Sequence, residues 1–127
     1  MSTIFSKIIS GEINNYKIYE NDKTYVFLTL RPHTRGHVLV VPKIEVDHWD
    51  DVPEEYYVAT WDTCRRVAKL LKEKLKCNRV GVIISGFEIP HAHIHLIPSN
   101  EIEDLDINGA YDATVDELTE MQSKLTS

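Results

Sequence analysis

Residues 90–98 read Pro90-His91-Ala92-His93-Ile94-His95-Leu96-Ile97-Pro98, and this stretch decides the fold. Between the two prolines, polar and apolar side chains alternate with a period of two, which is typical of a β-strand. Residues two apart on a strand point to the same face. We therefore expect the three histidines to share one face of this strand. The other face would anchor the strand in the core through its apolar side chains: Ala92, Ile94 and Leu96.

Three interpretations of the histidine row are open from the residues alone. It could be a polar row that faces solvent, although threonine, lysine or glutamate would serve there equally well. It could be a metal site, since His-x-His on one strand face is a common ligand arrangement. However, the strand carries no acidic residue and the chain has no Cys-x-x-Cys. It could also be catalytic, because imidazole is a nucleophile and an acid–base group that titrates near neutral pH.

The sequence on either side of this strand predicts an α+β fold. The elements in chain order are a short helix at 4–9, strands at 16–20, 24–30 and 37–41, a long helix that starts after Asp51, strands at 79–85 and 91–97, and a short helix capped by Thr114. Connections of hairpin length between the first three strands leave no room for crossover helices. We therefore expect an antiparallel sheet of about five strands.

The long helix carries one apolar stripe at spacings of three and four residues, formed by Tyr57, Trp61, Cys64, Ala68, Leu71 and Leu75. Such a stripe is typical of a helix that packs on a core. Val58, Val67 and Leu70 widen it, so that part of it could face a partner subunit. Cys64 and Cys77 would lie 13 positions apart on this helix, which is too far for a disulfide.

Composition limits the possible classes of protein. The chain has 127 residues, of which 43% are hydrophobic and 27% charged, as in ordinary soluble globular domains. Its net charge of −6 disfavours nucleic-acid binding, which usually needs a basic face. No apolar run is long enough to span a membrane, and the first residues lack the features of a signal peptide. Together with free thiols, these features predict a cytoplasmic location.

The motifs resemble the histidine triad (HIT) family of nucleotide hydrolases and transferases. That family has the pattern His-φ-His-φ-His-φ-φ, where φ is apolar, and residues 91–97 match it at every position. Residues 4–13 are similar to the family's opening segment, and Arg31-Pro32 followed by 36–43 is similar to its loop and strand. The resemblance covers about residues 3–98, with an acidic loop and a helix following at 99–127. It implies a single HIT-like domain over 1–127.

The resemblance implies chemistry at the α-phosphate of a purine nucleotide. His93 would attack phosphorus to form a covalent nucleotidyl-histidine, which water or another acceptor would resolve. His37, His91 and His95 would surround the phosphate, and one of them would protonate the leaving group. Substrates would be nucleoside phosphoramidates, adenylylated amines or dinucleoside polyphosphates. No metal or other cofactor is expected. The alternatives are a non-catalytic nucleotide-binding module and a metal-dependent hydrolase that uses the same histidines.

The resemblance also implies a homodimer with one continuous sheet and an apolar slot for the nucleoside. The positions that match the slot are Ile4, Phe5, Ile8, Phe27, Leu28 and Leu30. Thr29 stands where many members place an aspartate that binds the ribose hydroxyls, and Ser85 is a candidate to replace that group. Glu88 stands near a common serine or threonine that contacts phosphate, and a carboxylate pointing inward there would repel an anion.

Four further positions complete the expectations. Ser6 and Glu45 stand where zinc-binding members often carry cysteine and histidine, so we expect no structural zinc. His33 and His48 are expected to be exposed loop histidines.

Overall fold

The computed structural model describes residues 2–127. Its helices and strands are α1 Ile4–Ser10, β1 Lys17–Glu20, β2 Thr24–Leu28, β3 Val38–Pro42, α2 Glu54–Leu75, β4 Arg79–Ile83, β5 Ile94–Ser99 and α3 Val115–Thr126, with short 3₁₀ turns at Trp49–Asp51 and Ile102–Leu105. The strands form one sheet in the order β1-β2-β3-β5-β4, and each neighbouring pair is antiparallel. The expected α+β fold, with about five antiparallel strands and one long helix, is confirmed.

Local capping determines where the two terminal helices begin and end. The Thr3 hydroxyl accepts a hydrogen bond from the Ser6 N–H at the start of α1. Gly11 ends that helix with φ of 87°, a left-handed conformation that glycine adopts without strain. The Thr114 hydroxyl caps α3 in the same way by accepting from the Glu117 N–H.

The sheet separates two apolar clusters. Helices α2 and α3 cover one face, and this larger cluster contains Ile18, Val26, Leu28, Val38, Val40, Cys64, Val67, Leu71, Ile94, Leu96, Leu118, Met121 and Leu125. Helix α1 covers part of the other face, and that smaller cluster contains Phe5, Ile8, Tyr25, Phe27, Leu39 and Val41. Burial of a large apolar side chain contributes about 1.5–3 kcal/mol, so the larger cluster dominates the stability of the fold.

Strand register places the histidine strand beside the smaller cluster. Phe27 of β2 pairs with Leu39 of β3, and Leu39 pairs with His95 of β5. Directly paired residues lie on the same face of a sheet. Phe27, Leu39 and His95 therefore form a row on the face that α1 covers only in part.

One expectation about the histidine segment is wrong. The strand begins at Ile94, so His91 and His93 precede it and the three histidines do not share one strand face. The reason is local hydrogen bonding. The His91 N–H bonds the Ile89 carbonyl, and the Ala92 N–H bonds the Val46 carbonyl, so this stretch leaves the sheet ladder before Ile94.

The long helix also differs from its predicted stripe. Tyr57 is 39% exposed and Val58 is 60% exposed, whereas Thr63 is buried with its hydroxyl 2.8 Å from that of Thr24. A buried polar side chain such as that of Thr63, in the middle of α2, needs a hydrogen-bonding partner, and Thr24 at the start of β2 provides it. Cys77 lies beyond the end of α2, and both cysteines are free. Of the helices within 2–127, none has the length and apolar character needed to cross a bilayer.

Candidate active site

Three imidazole rings lie in contact beside the smaller cluster, on the part of the sheet face that α1 does not cover. The ring centroids of His37 and His95 are 5.1 Å apart, and those of His95 and His93 are 5.2 Å apart. His37 precedes β3 and is 2% exposed, and His93 precedes β5 and is 3% exposed. The antiparallel pairing of β3 with β5 sets Leu39 opposite His95, so His37, two residues before Leu39, lies on the same face beside His95.

Hydrogen bonds determine where the protons sit on His37 and His95. The backbone N–H of His33 donates to Nδ1 of His37 over 3.0 Å. Because that nitrogen accepts, the proton of a neutral His37 lies on Nε2, which is 2.9 Å from Nδ1 of His95. His95 then accepts at Nδ1 and carries its own proton on Nε2. This nitrogen is a hydrogen-bond donor and a candidate general acid.

His33 therefore has a role that the sequence did not predict. It was expected to be exposed, but it is half-buried, with its ring centroid 5.1 Å from that of His37. The loop folds back because the His37 N–H also bonds the Thr34 carbonyl. His48 is exposed, as expected.

His93 has the opposite arrangement of protons. Its Nδ1 lies 2.8 Å from the carbonyl oxygen of His91. A carbonyl can only accept, so Nδ1 carries the proton and Nε2 of the neutral ring presents a lone pair. The ring of Phe5 packs edge-on against His93 with a centroid distance of 4.9 Å, which restricts the imidazole to this orientation.

Burial keeps the histidines that flank His93 in their neutral form at pH 7. It lowers the pKa of His37 to about 3, helped by the neighbouring His95 and His33. It lowers the pKa of His95 to about 4, helped by His93. The pKa of His91 is also lowered, mainly by burial. Neutral rings retain the donor and acceptor pattern described above.

His91 lies behind His93 and uses both ring nitrogens within the fold. Its Nε2 donates to the Pro42 carbonyl over 2.9 Å, and its Nδ1 accepts from the Thr3 hydroxyl over 2.9 Å. Only 1% of the residue is exposed. His91 thus ties the segment before β5 to β3 and to the start of α1. In this arrangement neither nitrogen is left for a ligand.

Ser6 and Glu45 extend this connection to the surface. One carboxylate oxygen of Glu45 accepts from the Thr3 N–H over 2.8 Å and from the Ser6 hydroxyl over 2.7 Å. These bonds hold the pKa of Glu45 below its usual value. A network of neutral and acidic hydrogen-bonding groups therefore joins α1 to His91.

An apolar cleft of about 310 Å³ opens beside the histidines, between α1, β2 and the loop before β5. The predicted site residues that line it are Ile4, Phe5, Ile8, Phe27, Leu28, Thr29, Leu30, Glu88, His93 and His95. Leu28 touches the cleft, but it packs in the cluster on the opposite face of the sheet. His37, His91 and Ser85 lie outside the lining.

The sequence reasoning did not single out part of the lining: Ile13, Asn14, Asn15, Tyr16, Arg31, Leu39 and Ile89. The sequence could have identified Leu39, because it stands between two valines on one strand and so faces the opposite side of the sheet from them. In the structure Leu39 pairs with His95. The segment at 13–16 carried no such signal. Asn15 holds it in place by donating to the carbonyl of Ile13 and accepting from the Tyr25 hydroxyl.

Glu88 brings a carboxylate to the histidines. The Ser85 hydroxyl lies 2.6 and 2.8 Å from its two carboxylate oxygens. Burial raises the pKa of Glu88, but the Ser85 hydrogen bond, a backbone hydrogen bond and the neighbouring His93 and His95 together outweigh it, so the pKa lies below its usual value. One oxygen of Glu88 and one ring nitrogen each of His93 and His95 all lie within 4.8 Å of one another. Such a donor set also suits a divalent ion such as Zn²⁺.

Comparison with known proteins agrees with this geometry. The sequence profile of the HIT domain matches residues 10–102. The chain is 33% identical to the adenosine 5'-monophosphoramidase HNT1 of Saccharomyces cerevisiae, in a match that spans 77% of this chain and 63% of the yeast protein. It is 32% identical to the adenosine 5'-monophosphoramidase HNT1 of Candida albicans, over 98% of this chain and 89% of that protein.

A solved structure agrees with the fold over nearly the whole chain. The crystal structure of a Hit-like protein involved in cell-cycle regulation from Bartonella henselae superposes with a TM-score of 0.86 at 25% identity, and covers 98% of this chain and 94% of that one. With the histidine arrangement and the matched profile, these likenesses show that the chain belongs to the histidine triad (HIT) family.

Proposed function

We propose that this protein is a hydrolase or nucleotidyl transferase that acts at the α-phosphate of nucleoside phosphoramidates, adenylylated amines or dinucleoside polyphosphates. The observation that carries the proposal is the pairing of two neighbouring rings with opposite proton arrangements. His93 presents a lone pair at Nε2, and His95 presents a proton at Nε2. A nucleophile beside a proton donor is what displacement of an amine from phosphorus requires. The names of the two yeast relatives support the same substrate class.

In the first proposed step, the Nε2 lone pair of His93 forms a bond to the α-phosphorus. The bond between phosphorus and the leaving nitrogen breaks, and its electron pair stays on that nitrogen. The leaving nitrogen takes the Nε2 proton of His95 and departs as an amine. Loss of this proton leaves His95 as an imidazolate anion. The nucleotidylated His93 ring carries one positive charge that balances it, since the two ring centroids are only 5.2 Å apart.

In the second proposed step, water attacks phosphorus and gives a proton to Nε2 of His95. The bond between phosphorus and Nε2 of His93 breaks, and its electrons return to the ring as the lone pair. The net reaction converts phosphoramidate and water into nucleoside monophosphate and amine. His37 acts as a positioning residue throughout, because its Nε2–H bond to Nδ1 of His95 keeps the reactive proton on the far nitrogen.

The cleft supports binding of the nucleoside. Its volume of about 310 Å³ lies at the small end of the range for ligand pockets. Phe5 and Phe27 meet edge to face at 5.6 Å beside it and offer an apolar wall for a purine base. Thr29 supplies a hydroxyl at the rim. The base would bind between α1 and β2, with the phosphate directed toward His93.

A substrate panel tests the proposal. The purified protein is assayed with an adenosine phosphoramidate of a primary amine, with an adenylylated lysine derivative and with diadenosine polyphosphates, each with and without EDTA. Turnover of the phosphoramidate that EDTA leaves unchanged supports the proposal. Tight nucleotide binding without hydrolysis of any phosphoramidate would instead favour the non-catalytic binding module.

One observation favours a second candidate, a metal-dependent hydrolase. The donor atoms of Glu88, His93 and His95 are close enough together to share an ion. This set differs from the one expected from the sequence, because His91 has both nitrogens engaged and Glu88 takes its place. Loss of phosphoramidate turnover in EDTA, restored by added Zn²⁺, would establish this alternative.

A further inference from the structure

We infer that Glu88 selects substrates by the charge of the leaving group, favouring amines and rejecting phosphate chains. The inference rests on the proposed function and narrows its substrate class: of the substrates considered above, phosphoramidates and adenylylated amines would be processed well, and dinucleoside polyphosphates poorly.

The Glu88 carboxylate lies close to the two rings that would carry out the proposed reaction. Glu88 lines the cleft, and one of its oxygens lies within 4.8 Å of a ring nitrogen of both His93 and His95. The Ser85 hydroxyl lies within hydrogen-bond distance of both carboxylate oxygens, which restrains the side chain. A phosphorus atom under attack by His93 would therefore lie close to the carboxylate, and so would its leaving group.

Around the reacting phosphate, Glu88 and the histidines with lowered pKa values together carry a net negative charge. Glu88 is ionised at neutral pH, because its pKa lies below the usual value for a glutamate. His37, His91 and His95 are neutral there, since burial lowers their pKa values. Glu88 thus contributes one negative charge, and these three imidazoles contribute no positive charge.

The described lining of the cleft offers little positive charge to offset that of Glu88. Among the described residues that line the cleft, Arg31 is the sole lysine or arginine. Its Nε lies 3.0 Å from a carboxylate oxygen of Asp112, and its guanidinium also bonds the Ala110 carbonyl. A phosphate chain is usually held by arginine, lysine or a metal ion. The lining offers one guanidinium for that purpose, and an acidic partner already holds it.

These three features act differently on the two kinds of leaving group. A departing phosphate chain carries additional negative charges past the carboxylate, and like charges in a partly enclosed site repel. A departing amine gains a proton in the transition state, so its nitrogen becomes more positive and is attracted to Glu88. Because Glu88 is exposed to solvent, salt screens this selection.

The experiment measures kcat/KM for an adenosine phosphoramidate of a primary amine and for diadenosine tetraphosphate. Wild type is compared with Glu88→Gln, which removes the charge and keeps the shape. The matched control is Glu73→Gln, which removes an exposed carboxylate on α2 outside the cleft. We expect Glu88→Gln to raise kcat/KM for the tetraphosphate and lower it for the phosphoramidate, so that their ratio shifts at least about tenfold. Glu73→Gln should leave the ratio at the wild-type value.

The dependence of the kcat/KM ratio on ionic strength is a second measurement, and a purely structural role of Glu88 would not produce it. Raising KCl should narrow the wild-type preference for the phosphoramidate and leave the ratio in Glu88→Gln nearly constant. A parallel fall for both substrates in Glu88→Gln, with no change in the ratio, would overturn the selective role while the proposed function stands. If wild type hydrolyses the tetraphosphate as well as the phosphoramidate, the inference is also wrong. If wild type hydrolyses neither, the proposed function fails and the inference fails with it.

Discussion

Nε2 of His37 lies 2.9 Å from Nδ1 of His95, and this hydrogen bond places the His95 proton on the nitrogen away from His37. His37 is the donor of this bond, because its Nδ1 accepts from the His33 backbone N–H and its proton therefore lies on Nε2. A main-chain group in the loop before β3 thus controls the protonation of a ring at the start of β5. The covalent chemistry proposed for His93 depends on this chain of bonds.

Removal of the His37 side chain should therefore slow the reaction without removing a group that touches substrate. We expect His37→Ala to lower kcat by about a hundredfold, since misplaced catalytic groups cost roughly that much. The matched control is His33→Ala, which keeps the backbone N–H and should retain most of the activity. Steady-state kinetics on the phosphoramidate measures both variants, and equal losses in the two would contradict this ordering of the bonds.

Stability should depend on pH through the same histidines. Their ordinary pKa is 6.5, and burial lowers it to about 3 for His37 and to about 4 for His95. Below pH 6.5 the unfolded chain binds protons that the folded chain does not. The free energy of unfolding should therefore fall as pH decreases from about 6.5, by about 1.4 kcal/mol per pH unit for each such ring.

Urea denaturation at pH 6.5, 6.0, 5.5 and 5.0 measures this slope above the range in which most carboxylates titrate. His37→Asn should show a shallower slope than wild type, because it removes one of the neutral buried rings. A slope identical to that of wild type would mean that His37 is already protonated in the folded protein.

Sequence reasoning predicted the fold well because its signals were local and redundant. Short apolar runs marked strands such as β3 and β4, and Thr114 with Glu117 marked the start of α3. The histidine segment was predicted less well, because period-two alternation continues through His91 and His93 although the strand begins at Ile94. The deviation is caused by hydrogen bonds to Val46 and Pro42. These residues are distant in sequence, and no local pattern predicts that they lie beside the histidine segment.

The candidate site was likewise predicted only in part. The aromatic wall of Phe5 and Phe27 followed from matching positions along the chain, and both residues line the cleft. The proton positions on His37 and His95 depend on a backbone N–H and on ring orientations, which become defined only when β3 and β5 pair. The direction of the Glu88 carboxylate likewise depends on its bond with Ser85.

Ribose selectivity should be weak. Thr29 offers one neutral hydroxyl at the cleft, and that oxygen also accepts from the Arg31 N–H over 3.3 Å. An aspartate would make charge-assisted bonds to two ribose hydroxyls instead. We expect ribo- and 2′-deoxyribonucleotide substrates to differ by less than about tenfold in kcat/KM, and Thr29→Asp to increase the preference for ribose.

Paired kinetics on adenosine and 2′-deoxyadenosine phosphoramidates tests this expectation. Asn14→Ala serves as a comparison, because Asn14 is another polar residue that lines the same cleft. A strong ribose preference in wild type that Thr29→Asp leaves unchanged would show that Thr29 does not face the ribose.

Assembly as a homodimer is the fourth prediction. Strand β4 lies at an edge of the sheet with β5 as its one partner among residues 2–127, and Val58 on α2 is 60% exposed. We expect a two-fold symmetric dimer that buries at least about 1,000 Å². Val58→Glu should weaken it, whereas Val115→Glu, at a position on α3 that is 68% exposed, should not. Sedimentation equilibrium at micromolar concentration measures the mass, and a 14.6 kDa species in wild type would contradict the prediction.

The covalent intermediate on His93 is the central claim. Its most direct test is intact-mass spectrometry of enzyme mixed rapidly with excess phosphoramidate and quenched before turnover is complete, followed by peptide mapping. We predict a mass increase equal to one nucleotidyl group, located on His93. His93→Ala should show no adduct and lose turnover by several orders of magnitude, while it still folds and binds nucleotide. Wild-type turnover with no adduct at any quench time, together with more than a few per cent of wild-type kcat in His93→Ala, would contradict the account.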